Sequence, residues 1–577
     1  MRLTPKWLGS LHQSDAWASP WKAGRCDWAA RLVICGMTSP PFSLRERRHT
    51  IEAVLVGALV AVVLILWRTP PELIAPGVFR DDGVYLSVGR AISEGRGYHS
   101  VYLPGAPLQV KYPPGLPVLY AFLWMIFGTL HTVYLAAGIL SLLATASAGA
   151  IVWYLARSRL GLSPVIALPL AIGPFFLDSA VQYYSLPISE SWYALFWGLV
   201  VLMAFRVGAE SNERSSRDAF VLGLLIATAM LIRSQALALL AASVPALFFA
   251  RRRREALITG LTAALPVVAW QLFLAGERAG GARLSTLPDE SGYVSFVAPG
   301  SPIQAMRAAA AGLWLNARLY FADFAPHLNP SYPVGQVICL AIIILATVGA
   351  WRVGRRRLVL PFTVAASGGL TLLWPWTQDR LLMPLLPFAG LLAAMTLQWI
   401  ADRLPPVGRL VGAAVIALVA SGAAYQQISL RGETYQAYTK GQAPAHMSPT
   451  WYLPHNSRVL MLESMWISKH ARRDDRLLAA SPAGLYLHTG LPGLSSSPAE
   501  SRIAPPVFAV PGRFLAHAIR DGGISLVLVE APDELNRDVD VVKRACPNAF
   551  HIDAQGAGGW PTFLRVVDPV CIARAFQ

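Results

Sequence analysis

Two adjacent carboxylates, Asp81 and Asp82, are the residues of this chain whose types and spacing point most clearly to chemistry. They follow soon after the first long apolar run, 51–67. A carboxylate beside apolar lipid has a raised affinity for protons and can take one from a hydroxyl group. The pair therefore predicts a general base, or a ligand for a cation, at the membrane face. The alternative is that one aspartate caps the amphipathic helix that 83–93 predicts.

Composition indicates what kind of scaffold must position this pair. The chain has 577 residues, of which 54% are hydrophobic and only 14% are charged, whereas soluble domains carry about 25% charged residues. Many of its apolar runs reach the roughly 17 to 25 residues that cross a bilayer. The formal net charge is +16, but the basic residues cluster in short links between apolar runs. That is the positive-inside pattern, so the charge predicts topology and no nucleic-acid partner.

Placing the basic links inside predicts a polytopic α-helical membrane protein with about eleven transmembrane helices. External loops are expected at 68–131 and 275–332, and the C-terminus is also expected outside. The apolar segment 115–127 is short for a span and is interpreted as a helix at the membrane surface. The predicted spans are 51–67, 132–156, 163–180, 187–206, 219–232, 234–250, 256–274, 333–351, 359–376, 380–400 and 408–427.

Three domains are expected along the chain. The N-terminal segment, 1–50, has no clear periodicity and is expected to be disordered, with 1–36 interpreted as an artefact of start-codon choice. A transmembrane domain follows at 51–427. The tail, 428–577, has charge runs and turn residues, which indicate a small extracytoplasmic α/β domain. Short β-like runs lie at 473–480, 525–529 and 563–567. The sequence leaves open whether Cys546 and Cys571 pair there.

Cationic residues near the predicted external face are candidates for binding an anionic ligand. Lys111 is one, or it is an ordinary interfacial lysine that extends its amine to water. Arg233 divides the apolar region 219–250, and either serves the site or simply forms a turn. Arg380 begins a predicted span, where it can pair with Asp379 or bind phosphate.

Further polar residues are candidates for substrate binding. Asp178 and Glu190 flank a predicted external turn, and each is equally well explained as an interfacial acid or a helix cap. Tyr85 and Tyr112 lie in the first external loop. The histidines are scattered without the spacing of a metal site, and a divalent cation therefore stays an open question.

Several motifs in this order resemble C-type (GT-C) membrane glycosyltransferases, in particular the protein O-mannosyltransferase and lipid A aminoarabinose transferase group. The first external loop carries most of the resemblance, and two later segments add to it. The matching segments are Asp81-Asp82, Tyr85 to Arg90, Gly95-Arg96-Gly97-Tyr98, Tyr112-Pro113-Pro114-Gly115, Phe127-Gly128, Arg380 to Pro387 and Leu485 to Gly490.

The resemblance implies a fold and a reaction. Enzymes of this group transfer a sugar from a polyprenyl-phosphate carrier to an acceptor at the outer membrane face, with inversion at the anomeric carbon. The proposed base falls on Asp81, and Asp82 stands where relatives often have Glu. Relatives of the aminoarabinose group have a Lys directly before the Pro, whereas this chain has Tyr112 there and Lys111 one position earlier. The wider superfamily includes enzymes that bind a divalent metal through acidic residues.

The resemblance therefore implies a hexosyl- or pentosyltransferase with a polyprenyl-phosphate sugar donor and a lipid, glycan or protein acceptor. A bacterial-type inner membrane with the tail outside the cytoplasm is expected. Two alternatives stay open: a transporter or flippase of a lipid-linked substrate, and a non-catalytic protein with a similar fold. Transporters commonly place polar residues at mid-membrane, whereas the charges here collect at one face.

Overall fold

The computed structural model describes residues 44–209, 215–281, 310, 312–322, 332–374, 378–439, 449–496, 512–529, 534–555 and 561–576. Most of the predicted N-terminal segment, 1–50, and most of the predicted external loop, 275–332, lie outside these residues. The residues from His49 onward group into one compact unit.

The apolar part of the chain is helical throughout the described ranges. Its helices are α1 (Leu44–Trp67), α2 (Asp81–Ser93), α3 (Gly115–Phe127), α4 (Leu130–Tyr154), α5 (Pro164–Ala167), α6 (Asp178–Ser185), α7 (Ser189–Val207), α8 (Ser215–Ile232), α9 (Leu237–Phe249), α10 (Arg253–Ala279), α11 (Tyr332–Arg352), α12 (Val359–Leu373), α13 (Leu386–Ala401) and α14 (Pro406–Thr439). Residues 312–322 are also helical. Short 3₁₀ turns include Ser234–Ala236 and Asp379–Leu381.

The observed helices fit the prediction of a polytopic α-helical membrane protein. Among the described residues, 7 helices are long and apolar enough to cross a membrane, or 8 if the bent pair Pro164–Phe176 and Asp178–Ser185, which meet at 59°, forms one span. Four shorter apolar helices accompany them: Gly115–Phe127, Ser234–Phe249, Val359–Leu373 and Leu386–Ala401. Each predicted span therefore overlaps a helix of the described residues, whereas the count of eleven stays a prediction.

Helices α2 and α3 form a hairpin-like pair in the first external loop. The Trp124 indole donates to the Leu86 carbonyl over 3.0 Å, and α3 ends where Gly128 adopts the left-handed conformation at φ 70°. A Cβ on Gly89 would lie 3.0 Å from the Pro117 carbonyl oxygen, so the small residue lets the two helices approach closely. The pair is thus fixed as a unit, with Asp81 at its first position.

The tail contains the predicted α/β arrangement. After α15 (Pro449–His470) come β1 (Leu477–Ala479), α16 (Pro482–Thr489), β2 (Gly493–Ser495), α17 (Arg513–Gly522), β3 (Leu526–Val529), α18 (Glu534–Ala545), β4 (Phe550–Ala554), β5 (Thr562–Val566) and α19 (Pro569–Ala575). The sheet order is β2-β1-β3-β5-β4. β1 runs parallel to β2 and β3, and β5 runs antiparallel to β3 and β4.

The small domain has an internal disulfide bond and shares apolar packing with the first loop. Cys546 and Cys571 form a disulfide bond, which answers the pairing question that the sequence left open. Buried apolar residues of the first external loop, such as Leu86, belong to the same hydrophobic cluster as Leu478 and Leu526 of the sheet. The loop that carries Asp81 and the small domain therefore share one core.

Candidate active site

The Asp81 carboxylate accepts a charged and a neutral hydrogen bond. The Tyr112 hydroxyl donates to Oδ1 over 2.6 Å, and the Arg380 guanidinium donates to Oδ2 over 2.6 Å. Burial raises the pKa of the Asp81 carboxyl, but the charge of Arg380 and the hydrogen bonds from Tyr112 and Arg380 outweigh it, so the pKa lies below its ordinary value. Asp81 is therefore ionised at neutral pH. Each carboxylate oxygen has a second acceptor direction, which leaves room for a hydroxyl group.

Asp81 is one end of a chain of alternating charges. Nη1 of Arg380 also lies 3.4 Å from Oε1 of Glu190, and Nη1 of Arg233 lies 3.0 Å from the same oxygen. The side chain of Glu190 is fully buried, whereas Arg380 and Asp81 are 12% and 13% exposed. In the network Asp81–Arg380–Glu190–Arg233 the inner residue Glu190 is thus fully enclosed, whereas the two ends, Asp81 and Arg233, are 13% and 10% exposed. Burying four charges is costly, and such networks in apolar surroundings are candidate functional sites.

The four charged residues come from breaks in the helical architecture. Asp81 is the first residue of α2, and Glu190 lies in the first turn of α7. Arg233 occupies the break between α8 and the 3₁₀ turn that precedes α9, and Arg380 lies in the 3₁₀ turn before α13. Helix ends leave backbone groups and side chains free to converge on one point. The structure therefore brings together four residues that the sequence placed at the same predicted face.

Asp82 has a different task from its neighbour. It is fully buried, and its carboxylate accepts from the backbone NH of Gly77 over 2.8 Å and of Phe79 over 3.0 Å. The side chain thus holds the turn that leads into α2. Burial raises the pKa of Asp82 to about 7, against the lowering effect of the backbone hydrogen bonds. The geometry favours Asp82 as the structural aspartate of the pair and leaves Asp81 as the residue that faces the charged network.

The raised pKa of Asp82 predicts how stability depends on pH. The folded protein holds the Asp82 proton up to about pH 7, whereas an unfolded aspartate releases it near about pH 4. The folded state therefore binds more protons between these values, and the free energy of unfolding should fall as pH rises through that window. The pKa of Asp81 is lowered, so the stabilising effect of its carboxylate is lost only below the range between about pH 4 and about pH 7.

Thermal unfolding measured from pH 5 to 8 should show a shallower dependence of stability on pH for Asp82→Asn than for wild type. The exposed substitution Asp521→Asn should keep the wild-type slope, and equal slopes in all three proteins would contradict this assignment.

Lys111 and Tyr85 lie at the edge of the network. Nζ of Lys111 is 5.5 Å from the ring centroid of Tyr112, and its charge acts on Asp81. The Tyr85 ring contacts the Tyr112 ring edge to face at 5.2 Å, and its hydroxyl donates to Ser189 over 3.4 Å. Tyr112 thus contacts Asp81 directly, Tyr85 packs against Tyr112, and Lys111 adds a positive charge beside them.

Asp178 is placed elsewhere among the described contacts. Its backbone NH donates to the side-chain oxygen of Gln427 in α14 over 2.9 Å, and its charge acts on Arg431 of α14. In the part of the chain that the structure describes, no group of three or more His, Cys, Asp or Glu side chains could hold a metal ion.

Three residues of the site were not found from the sequence. Ser189 lies within hydrogen-bonding distance of Nη1 of Arg233, Gln235 accepts from Nε of Arg233 over 2.6 Å, and the Phe79 ring lies 4.7 Å below the Arg380 guanidinium. The sequence signal that could have found two of them is their position next to candidate residues, because Ser189 directly precedes Glu190 and Gln235 follows Arg233 by two positions. Such neutral residues fix the direction in which each guanidinium points.

No protein-family model matches the chain, and no curated protein matches its sequence. Solved structures do match its fold. ArnT from Cupriavidus metallidurans bound to undecaprenyl phosphate matches at 13% identity and a TM-score of 0.49, covering 90% of this chain and 98% of that one.

Two further matches are more distant. One is the archaeal oligosaccharyltransferase AglB from Archaeoglobus fulgidus, in complex with an inhibitory peptide and a dolichol-phosphate. It matches at 12% identity and a TM-score of 0.46, and the match covers 85% of this chain and 70% of that one. The arabinofuranosyltransferase AftD from Mycobacteria matches at 15% identity and a TM-score of 0.43, and the match covers 90% of this chain and 41% of that one. All three are GT-C glycosyltransferases. The chain is thus similar to GT-C glycosyltransferases in its sequence motifs and in its structure.

Proposed function

We propose that the chain is a membrane glycosyltransferase that moves a sugar from a polyprenyl-phosphate carrier to an acceptor hydroxyl at the external membrane face. The observation that carries this proposal is the ionised Asp81 carboxylate at one end of a largely buried charge network. A base and a cluster of cations are the two parts that such a transfer needs. The sequence resemblance supports the same reaction.

The proposed step is an inverting displacement. The acceptor oxygen attacks the anomeric carbon while Asp81 takes the hydroxyl proton. The bond between the anomeric carbon and the phosphate oxygen breaks, and polyprenyl phosphate leaves with the electron pair. Arg380 and Lys111 are the cations placed to receive the negative charge that develops on the phosphate. Arg233 keeps Glu190 neutralised behind them.

Glu190 is the proposed contact for a substrate hydroxyl. Within the described chain its two oxygens receive no well-aligned hydrogen bond, although Oε1 lies within ion-pair distance of Arg233 and Arg380. A buried carboxylate with unused acceptor capacity suits a polar ligand group that arrives with the substrate. Tyr85 and Tyr112 are proposed to contact the sugar beside it.

The external placement of the site and the tail belongs to this proposal. The Cys546–Cys571 disulfide supports it, because disulfides persist outside the reducing cytoplasm. The basic links between spans support the same orientation. A bacterial-type inner membrane is proposed as the location.

The experiment is a transfer assay with purified protein in lipid vesicles. The probes are undecaprenyl-phosphate donors that carry radiolabelled hexoses or pentoses, offered with a membrane lipid extract as acceptor. We expect labelled sugar to appear in a new product as undecaprenyl phosphate is released, and this release should need an intact Asp81. Movement of intact labelled donor across the vesicle membrane, without release of the carrier, would instead show a flippase.

A further inference from the structure

The backbone immediately before Asp81 is strained. Arg80 has φ 64° and ψ −60°, and the Asp81 NH donates to the Phe79 carbonyl over 2.8 Å. Together these values describe a γ-turn with a positive φ, which is a rare and strained form. A non-glycine residue keeps such a conformation only where its surroundings hold it there. The position of Asp81 therefore depends on whatever holds residues 76–80.

One side of this turn is held from within the loop. Asp82 accepts from the backbone NH groups of Gly77 and Phe79. The Arg80 NH also donates to the Gly77 carbonyl over 3.3 Å. These bonds tie the turn to the start of α2, but all of them lie on the same local segment. They cannot by themselves fix the turn relative to the rest of the protein.

The other side is held by α16 of the C-terminal domain. The Ser481 hydroxyl donates to the Gly77 carbonyl over 2.8 Å, and Nε2 of His488 lies 3.0 Å from the Pro76 carbonyl oxygen. A carbonyl oxygen only accepts, so the His488 ring must carry its proton on Nε2. The bond is therefore directional and fixes the carbonyl in one orientation.

Close backbone packing joins α16 to the turn between these two hydrogen bonds. A Cβ built on Gly77 would lie 2.4 Å from Cα of Gly484, and one built on Gly484 would lie 2.8 Å from the Gly77 carbonyl oxygen. Gly77 also has φ +89°, a conformation that favours glycine. Both glycines are thus required for α16 to lie directly on the turn.

We propose that α16 is the positioning element of the active site, with His488 and Ser481 as positioning residues that hold the strained turn and so aim the Asp81 carboxylate. This inference rests on the proposed glycosyltransferase activity. It gives the C-terminal domain a part in the reaction, although in the described chain the hydrogen bonds of the Asp81 side chain come from Tyr112 and Arg380, outside that domain. A displacement of about 1 Å at a reacting group can cost a hundredfold in rate.

Other bonds between the same domain and the first loop make this role separable from stability. The Arg96 guanidinium donates to the Tyr486 hydroxyl over 3.0 Å, and the Gly493 NH donates to the Tyr102 carbonyl over 2.8 Å. The shared hydrophobic cluster adds to them. Loss of the His488 hydrogen bond should therefore leave the domain docked while it releases the Pro76 carbonyl.

The test compares His488→Leu, which removes the donor, with His488→Gln, whose amide can restore it. The first readout is backbone hydrogen exchange of the peptide 76–81, and the second is sugar transfer with labelled undecaprenyl-phosphate donor. For His488→Leu we expect faster exchange and a kcat lower by about ten- to a hundredfold, with an unchanged KM for the donor. His488→Gln should recover both. His517→Leu, a surface histidine of the same domain, is the matched control and should change neither.

Each arm can fail separately. Unchanged exchange in His488→Leu would overturn the role of α16 in holding the turn. Faster exchange with wild-type kcat would overturn its role in catalysis, as would a rise in KM alone. Gly484→Ala provides a second route to the same displacement and should give the same pair of changes. A wild-type protein that transfers no sugar would overturn the proposed function itself, while the exchange arm would still report whether α16 holds the turn.

Discussion

Asp81→Asn is expected to lower the rate of sugar transfer by about a hundred- to ten-thousandfold, which is the usual range for loss of a general base. Asn has almost the same shape and can still accept a hydrogen bond from Tyr112 or Arg380. It cannot take a proton from an acceptor hydroxyl. The measurement is release of undecaprenyl phosphate from labelled donor, with the amount of folded protein checked by thermal unfolding.

The matched control is Glu94→Gln on the same helix. Glu94 lies at the far end of α2, where it pairs with the exposed Arg90 and Arg96. Exposed ion pairs contribute little to stability, so this variant should retain transfer within about twofold. Wild-type activity in Asp81→Asn would exclude Asp81 as the base. Equal loss in both variants would indicate damage to α2 and not to catalysis.

The sequence predicted that Asp81 and Arg380 lie near one another, but not that they pair. The two residues are 299 positions apart, and the positive-inside links placed both at the same predicted membrane face. The sequence offered Asp379 or a phosphate as the partner of Arg380. In the structure Arg380 pairs with Asp81 and Glu190. The partner of a charged residue depends on how the helices rotate and pack, and the hydropathy pattern does not contain that information.

The same limit applies to the C-terminal domain. The run 525–529 was found because consecutive Leu and Val residues have high β propensity. The strand Gly493–Ser495 was not, since three residues that begin with Gly have no such signal. It forms because it pairs with β1. The long helix α14 likewise continues past residue 427 to Thr439, where the sequence-based boundary marked only a change in composition.

Arg380→Gln is expected to have the second large effect, because it removes one cation from the alternating charges of the site. The four groups Asp81, Arg380, Glu190 and Arg233 balance one another in the absence of substrate. Removing the guanidinium leaves two buried carboxylates beside one cation. Breaking a buried pair in this way costs about 3–5 kcal/mol of stability, and it also removes a proposed phosphate partner. We therefore expect a large drop in thermal stability together with a higher KM for the donor.

The double variant Asp81→Asn/Arg380→Gln separates the two consequences. Neutralising both partners leaves Glu190 paired with Arg233, as it already is at 3.0 Å, so most of the lost stability should return. Transfer should stay absent, because neither the base nor the phosphate partner is restored. Arg90→Gln breaks an exposed ion pair with Glu94 and a cation–π contact with Trp124, and should lower the free energy of unfolding by only about 1 kcal/mol. Stability losses that simply add in the double variant would show that Arg380 and Asp81 are not energetically coupled. Coupling together with abolished transfer would show that the Asp81–Arg380 pair stabilises the folded protein and that transfer needs at least one of these two side chains.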